Sequence, residues 1–250
     1  MSTVKLQQKI FIRGDIVLKT GTHIGGTNSQ MGIGGADKLV IRNPLNRMPI
    51  IPGSSLKGKM RGLLELLWGK YNLDPDPKKF GEVGNDPAIT KLFGSSAKDD
   101  NNHPSRLIVR DAVLKPEKIK EGDWDNTDMY YAEAKTEVSI NRLTSRANPR
   151  TFERVPAGAV FEFEMVVNVV SDDDHVDDVR NELLDLLARG MELLQDDYIG
   201  GQGSRGYGQV EFENLTFEVK NFHEREKNVT INEIQEHFKN LIKTESENEV

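Results

Sequence analysis

Between residues 4 and 19 apolar side chains recur on one parity, at Val4, Leu6, Ile10, Ile12, Ile16 and Leu18, while the other parity is mostly polar. This is the two-residue period of a half-buried strand, so the chain is predicted to open on a long one. After Pro49 and Pro52 the period changes. Leu56, Met60, Leu63, Leu64 and Leu67 repeat at helical spacing, and Ser54 or Ser55 is placed to cap a helix that ends near residue 71. Alternation returns at Leu107, Val109 and Val113, and again at Ala159, Phe161, Phe163, Met165, Val167 and Val169. Val176, Val179, Leu183, Leu187, Met191 and Leu194 then mark an amphipathic helix with acids on its outer face. In the last strand Val210 and Phe212 keep one parity and Leu215, Phe217 and Val219 the other, which predicts a bulge near Glu213 and Asn214. Thr230 and Glu233 read as a capping box for a tail helix, with Val229 and Ile234 as its staple.

The element order is β-α-β-β-α-β with an extra helix, the pattern of an α+β, ferredoxin-like sheet of the RNA-recognition-motif kind. One domain is expected over 1–220, inflated by insertions at about 21–48, 73–105 and 132–155, with a helical extension over 221–250. The first insertion holds a loop, Gly21 to Gly35, with six glycines in fifteen residues, suited to close approach by a ligand. The second is rich in Asp, Asn, Pro, Gly and Lys, with a short apolar cluster at Ile89, Leu92 and Phe93. Two helices covering one face of such a sheet leave the other open, and in this fold the open face commonly meets RNA.

Composition narrows the chemistry. The 250 residues include no cysteine, which excludes disulfides, thiolate nucleophiles and Cys-based metal sites, and the five histidines are scattered, so no structural metal is expected. No apolar run reaches the ~20 residues of a membrane helix and no signal peptide is evident, so a cytoplasmic protein without membrane contact is expected. The net charge of −7 hides an asymmetry. Residues 172–197 hold ten acids against Arg180 and Arg189, a sum of −8, so the rest of the chain is at +1. Residues 38–61 hold six basic residues and no acid, and 135–154 hold five basic residues against two acids. An acidic protein can thus present a basic face to a polyanion, or merely carry solvated charge runs.

Two familiar patterns fail on context. Gly53 to Lys59 fits a phosphate-binding loop, but Met60 stands where the magnesium-binding Ser or Thr is needed; Gly201 to Gly206 fits a dinucleotide fingerprint, but it follows a helix and opens a strand. Asn214 and Asn228 head glycosylation sequons that have no meaning without secretion. The basic stretch still carries physics. Lys57 near a helix start opposes the macrodipole, a conflict that an anion would resolve, and Arg61 lies one turn on, facing the same ligand, whereas Lys59 points elsewhere. A solvated helix start is the plain alternative. Gly200 to Gly208 has five glycines in nine residues, with Arg205 for phosphate, Tyr207 for base stacking, and backbone N–H groups such as that of Gly203 for an anion; a tight turn is the alternative.

These stretches carry a resemblance. Ile199-Gly-Gly-Gln-Gly-Ser-Arg-Gly-Tyr-Gly-Gln-Val210 resembles the terminal glycine-rich motif of the RAMP superfamily of CRISPR proteins. Thr20-Gly-Thr-His-Ile-Gly-Gly26, Ile50-Ile-Pro-Gly-Ser-Ser-Leu-Lys-Gly-Lys-Met-Arg61 and Ala147-Asn-Pro-Arg-Thr-Phe-Glu-Arg154 extend it, in order, to the repeating backbone subunit of the type III-A effector, the Csm complex. The resemblance implies a subunit that polymerises with further copies of itself along a CRISPR guide RNA. The other implied partners are a complementary target RNA, a large polymerase-like subunit, a small helical subunit and capping RAMP subunits. It makes 132–155 a thumb hairpin that displaces a base of the guide-target duplex at regular intervals. It also places the target-cleaving carboxylate on Asp37, in Ile33-Gly-Gly-Ala-Asp37.

From the residues alone Asp37 is a loop Asp before a Lys, commonly a turn residue, although one carboxylate can hold a divalent ion or accept the proton of an attacking ribose hydroxyl. The reading taken is a guide-RNA-binding endoribonuclease that needs Mg²⁺ or another divalent cation, with Asp37 as the catalytic and transient metal-binding residue. Its RNA contacts are His23, Lys57, Lys59, Arg61, Gly203, Arg205 and Tyr207, with Arg142, Arg146 and Arg150 on the thumb. His23 has packing as its alternative. Two other functions stay open: a non-catalytic guide-binding backbone subunit, and a metal-independent guide-processing RAMP endoribonuclease.

Overall fold

Alternation over the first residues becomes β1 (Lys5–Leu18), with Ile10, Ile12, Ile16 and Leu18 in the core. The computed structural model describes residues 4–26, 38–70, 84, 86–95, 103–120, 122–172, 174–223, 234–236 and 238. The chain continues through β2 (Ile50–Ile51), α1 (Gly53–Leu67), α2 (Pro87–Phe93), β3 (Leu107–Val109) and β4 (Ala112–Leu114). A hairpin of β5 (Glu133–Ile140) and β6 (Ala147–Arg154) follows, then β7 (Val160–Ser171), α3 (Val176–Asp196) and β8 (Val210–Asn221).

Among the described residues these strands make one six-stranded antiparallel sheet, in the order β2-β4-β7-β1-β8 with β3 also on β7, and a separate two-stranded sheet, β5-β6. The architecture is a mixed α/β one with antiparallel sheets and few helices. β7 and β8 flank β1 along nearly its whole length, as two long alternating strands on either side of a third would. α1 and α3 pack against each other, α3 against β7 and β8, and Leu56, Met60, Leu64, Leu187 and Met191 are fully buried. Gly190 is where the two helices approach: a Cβ there would lie 3.3 Å from both Leu64 and Met60. Glycine inside a helix costs about 1 kcal/mol, and each buried Leu or Met returns about 1.5–3 kcal/mol.

Four local readings change. The α1 cap is Pro52, not Ser54 or Ser55, and the helix ends at Leu67, short of residue 71. Its first N–H, on Gly53, donates at 2.9 Å to the carboxylate of Asp111, which comes from the break between β3 and β4. That break also shifts the strand parity, so Ala112 and Leu114 are buried and Val113 faces out. The 73–105 insertion carries α2, capped by Asp86 and anchored by Ile89, Leu92 and Phe93, the apolar cluster noted in the sequence.

The bulge in β8 is where it was expected. Pairing shifts between Arg13↔Thr216 and Asp15↔Glu213, and Asn214 takes a left-handed φ of 54°. Gly14 faces the bulge, where a Cβ would come within 2.7 Å of the Glu213 carbonyl. Thr230, Glu233 and Val229 lie outside the described residues; Ile234 and Phe238 are buried, the Phe238 ring 5.2 Å from that of Phe217.

Candidate nucleic-acid interface

The elements predicted to hold chemistry meet at one end of β1. Past Leu18 the chain makes an antiparallel contact with the base of the β5–β6 hairpin, the expected thumb, where Thr22 and Val155 exchange backbone hydrogen bonds at 2.8 and 2.9 Å. One residue on, the Gly201 N–H donates to the His23 carbonyl at 2.9 Å, which ties the same loop to the glycine motif. Glu153 organises the other side. Its carboxylate accepts the Val40 N–H at 2.8 Å and pairs with Arg42, and its carbonyl accepts His23 Nδ1–H at 2.6 Å. The Glu153 N–H donates to the Lys38 carbonyl at 2.9 Å, so Lys38 is pinned to β6 with its ammonium 5.3 Å from the Phe152 ring centre. Asp37 lies outside the described residues; its neighbour Lys38 is exposed at the thumb base.

The glycine motif is a packed turn. A Cβ on Gly208 would lie 2.1 Å from the Ile199 carbonyl, and one on Gly203 would lie 2.2 Å from the Tyr198 ring, so both positions exclude any other residue. A short 3₁₀ turn over Gly203–Arg205 leaves the Gly203 and Ser204 N–H groups without a partner among the described residues, which is the part of the motif that can meet an anion. Arg205 projects from it, half exposed, and pairs with Glu137 of the thumb. Glu137, Val138, Asn148, Arg150, Gln202 and Arg205 line a notch of about 190 Å³ between thumb and glycine turn.

Tyr207 corrects an expectation. It is 1% exposed, and Lys135 and Arg154 each sit 4.8 Å from its ring centre, so no ring face is open to stack on a base. Burial, then the Glu137 carboxylate, push its hydroxyl up to about 12. His23 is 6% exposed and edge-on to Phe152 at 5.8 Å, which favours packing over direct contact. Arg142, Arg146 and Arg150 are all exposed on the β5–β6 hairpin.

The basic residues of α1 are arranged in the reverse of the sequence reading. Lys57 Nζ donates to Ser105 Oγ at 2.6 Å and to the Leu107 carbonyl at 2.8 Å, and burial, with Arg61 nearby, pulls its pKa down. Arg61 bonds Glu65 and the carbonyls of Gly84 and Gly94, tying the 73–105 insertion to the helix. It is Lys59 that reaches the glycine motif, 2.7 Å from Asp197 and 3.9 Å over the Tyr198 ring. Helical spacing gave the faces correctly, but only tertiary packing decides which face meets the insertion.

The sheet face opposite the helices is lined with ion pairs. Arg13 bonds Glu164 at 2.6 Å and Glu218 at 2.9 Å, Arg110 bonds Glu164 at 2.6 Å, and Lys118 bonds Asp15 at 2.8 Å. Among the described residues this part of the face carries paired charges and not an open aromatic platform; Phe11 lies there, its ring flanked by Arg13 and Lys220.

The chain carries a β5–β6 hairpin, a glycine turn clasped to it and a long β1, and a model of the RAMP superfamily matches residues 15–211. The chain belongs to the RAMP superfamily, in its Csm3 family. The Csm3 relative of Methanocaldococcus jannaschii, a CRISPR system endoribonuclease by name, is 43% identical over 218 residues, 86% of this chain and 83% of that one. The Streptococcus thermophilus Csm3 is 40% identical over 213 residues, 83% of this chain and 88% of that one. A chain of the Csm3–Csm4 subcomplex crystal structure, from the type III-A CRISPR-Cas interference complex, superposes with a TM-score of 0.56 at 30% identity, over 94% of this chain and 97% of that one. The RAMP match runs from the end of β1 through the β5–β6 hairpin and the glycine turn to the start of β8.

Proposed function

We propose that this chain is a guide-RNA-binding backbone subunit of a type III-A CRISPR effector and cuts complementary target RNA at regular intervals through Asp37. The observation that carries this is the junction at the thumb base. Lys38, next to Asp37, is hydrogen-bonded to β6, and β6 is tied through Thr22 and His23 to the glycine turn. A guide held at the turn and a duplex bent over the thumb would bring the displaced base step close to Lys38, and so to Asp37 before it. Strand order β8-β1-β7-β3 supports the ferredoxin-like reading, and one domain over 1–220 with 221–250 as its extension is proposed with it.

In this reading the protein holds phosphates and shape while base pairing supplies sequence. The exposed Arg205 and the Gly203 N–H would take guide phosphates, with Lys59 beside them, and Arg142, Arg146 and Arg150 would steady the duplex on the thumb. His23, Lys57, Arg61 and Tyr207 act as positioning residues for those surfaces. Displacing a base twists the backbone, and that can bring the 2′-oxygen, phosphorus and 5′-oxygen into line. Asp37 would accept the 2′-hydroxyl proton as that oxygen bonds to phosphorus and the 5′-oxygen leaves, giving a 2′,3′-cyclic phosphate and a 5′-hydroxyl end. Among the described residues no group of three or more His, Asp or Glu gathers to hold an ion, and Glu133, Glu137 and Glu153 are paired with Arg154, Arg205 and Arg42. Asp37 would be the protein's ligand for a divalent ion such as Mg²⁺, which would supply neutralisation of the charge that develops at the phosphate.

Further copies of this chain and the other Csm subunits are the expected partners. No helix among the described residues is long and apolar enough to cross a membrane, and a cytoplasmic site of action follows from the guide-RNA role. The test compares wild type and Asp37→Ala, each assembled on guide RNA, for cutting of complementary RNA with Mg²⁺ and with EDTA. The proposal expects regularly spaced products from wild type with Mg²⁺ alone, and full target binding without products from the variant. Equal cutting by the variant would overturn the role of Asp37. Target binding by wild type without cutting would leave a non-catalytic backbone subunit.

A further inference from the structure

At the end of the sheet far from the glycine turn, one row of positions gathers positive charge. Lys9 lies opposite Asn168 on β7 and opposite Lys220 on β8. Asn168 in turn donates its backbone N–H to the Arg106 carbonyl at 2.8 Å, just before β3. The row therefore reads Lys220, Lys9, Asn168, Arg106, with no acid in it. Like charges directly opposite one another across a ladder are destabilising. Lys220 is answered by Glu218 at 3.3 Å and by the Phe11 ring. Among the described residues neither the Lys9 ammonium nor the Arg106 guanidinium has a hydrogen-bond or ion-pair partner, and Arg106 Nη1 is shut off from solvent without an acceptor. Burial pulls the Arg106 pKa down, the mark of a cation missing its counter-charge, and the Glu182 carboxylate that it feels is already bound by Lys91.

Lys9 and Arg106 line a cleft of about 650 Å³ whose apolar walls are Leu6, Pro87, Pro104 and Val170. A volume of about 300–1,000 Å³ with apolar walls and a few convergent polar groups is the usual form of a specific binding site. At ~3.3 Å per residue, Lys9 is about 30 Å along β1 from Leu18, so the cleft is separate from the RNA-facing end. We propose that it binds an acidic segment of a protein partner, one carboxylate flanked by apolar side chains. The carboxylate would lie between Lys9 and Arg106, and its apolar neighbours against Leu6 and Val170. An RNA strand fits less well, because Glu164 and Glu218 lie further along the same face and Glu182 stands at the margin.

The test follows the Arg side-chain N–H and Lys side-chain signals of the full-length protein by NMR, during titration with N-acetyl-Leu-Glu-Leu-amide. The same titration is run with N-acetyl-Leu-Gln-Leu-amide and with a five-nucleotide uridine oligomer. The Glu peptide should shift the Lys9 and Arg106 signals saturably, about tenfold more tightly than the Gln peptide, as expected for one charge-assisted contact. Lys9→Gln and Arg106→Gln should each reduce the Glu peptide to the Gln level, with the rest of the spectrum unchanged as the check on folding. Lys9→Gln keeps the test valid if Arg106→Gln disturbs the sheet edge. Equal affinity for the two peptides, indifference to both variants, or tighter binding of the uridine oligomer at these residues would overturn the proposal.

Discussion

Replacing Tyr207 separates two roles that the glycine motif could give it. If the ring stacked on a nucleotide, Tyr207→Ala would weaken RNA binding and leave the free protein as stable as before. In the structure the ring is instead buried under Lys135 and Arg154 at the seam between thumb and glycine turn. Truncating a buried aromatic to Ala costs about 3–5 kcal/mol, and losing two cation–π contacts at a half-open seam adds about 0.5 kcal/mol each. A total of about 4–6 kcal/mol should lower Tm by about 10–20 °C in a chain of this size, at ~2–4 °C per kcal/mol. Tyr207→Phe is the control. The hydroxyl lies by the Glu137 carboxylate and the Arg154 guanidinium without a well-formed hydrogen bond to either, so its removal should cost about 1 kcal/mol at most and lower Tm by no more than about 2–4 °C. Thermal melts of the RNA-free protein, followed by near-UV circular dichroism, measure both. Tyr207→Ala melting with wild type while losing RNA affinity would refute the buried-seam account.

Three further outcomes can be checked on the same footing. Gly208→Ala, with φ at 82° and a Cβ 2.1 Å from the Ile199 carbonyl, should disrupt the turn and lower both Tm and guide retention, whereas Gly206→Ala, at the same φ but with open space around it, should cost only about 1–2 kcal/mol. Glu153→Gln breaks a pair in which the Arg42 and Glu153 side chains are 16% and 4% exposed; urea titration should show a loss of about 3 kcal/mol, the low end for a buried pair, since Arg42 keeps the Arg47 and Tyr130 carbonyls. Burial would raise the Asp15 carboxyl, but bonds from Lys118 and Asn214 outweigh it and hold the pKa below the ordinary value. The unfolded chain then takes up the proton first, so this contribution is complete above the ordinary carboxylate range and disappears as pH falls through the lower folded value. Asp15→Asn should flatten the acid limb of a stability-against-pH curve, and an unchanged limb would count against the assignment.

Much of the frame could be read from the chain because it rests on local rules. The parity of Ile10, Ile12 and Ile16, the switch of parity at Asn214 and the helical period of Leu183, Leu187 and Met191 are each set within a few residues, and each is reproduced. The β5–β6 hairpin was legible as an excursion between two strands. What failed depended on distant partners. Nothing near Lys57 in sequence says that Ser105 and Leu107 will take its ammonium, and nothing near Gly53 says that Asp111 will cap α1. Tyr207 looked like a stacking residue because glycines surround it. Those glycines let Tyr198, Ile199 and the 21–23 loop press in on the turn, which is what buries the ring. A usable signal was the nearby excess of basic residues on the thumb, Lys135 and Arg154 among them, for which a buried ring is a neutral partner.

The ion-paired sheet face bears on where RNA can run. An analogy with RNA-recognition motifs would lay the strand across β1 and β7, but there Glu164 already takes Arg13 and Arg110, and Asp15 takes Lys118. RNA on that face would have to displace these pairs and leave the carboxylates against its own phosphates, a repulsion felt within a Debye length of about 8 Å at physiological salt. At the thumb end, by contrast, Lys38, Arg142, Arg146 and Arg150 are exposed, and Glu137 and Glu153 of the hairpin are tied up by Arg205 and Arg42. Charge reversal should therefore tell the two surfaces apart. Arg146→Glu with Arg150→Glu should weaken guide-target duplex retention and flatten its salt dependence, because each lost phosphate contact removes about one counterion from the slope. Arg110→Glu, on the sheet, should leave the salt slope as it is. A slope that changes with Arg110→Glu and not with the thumb pair would place the RNA on the sheet after all.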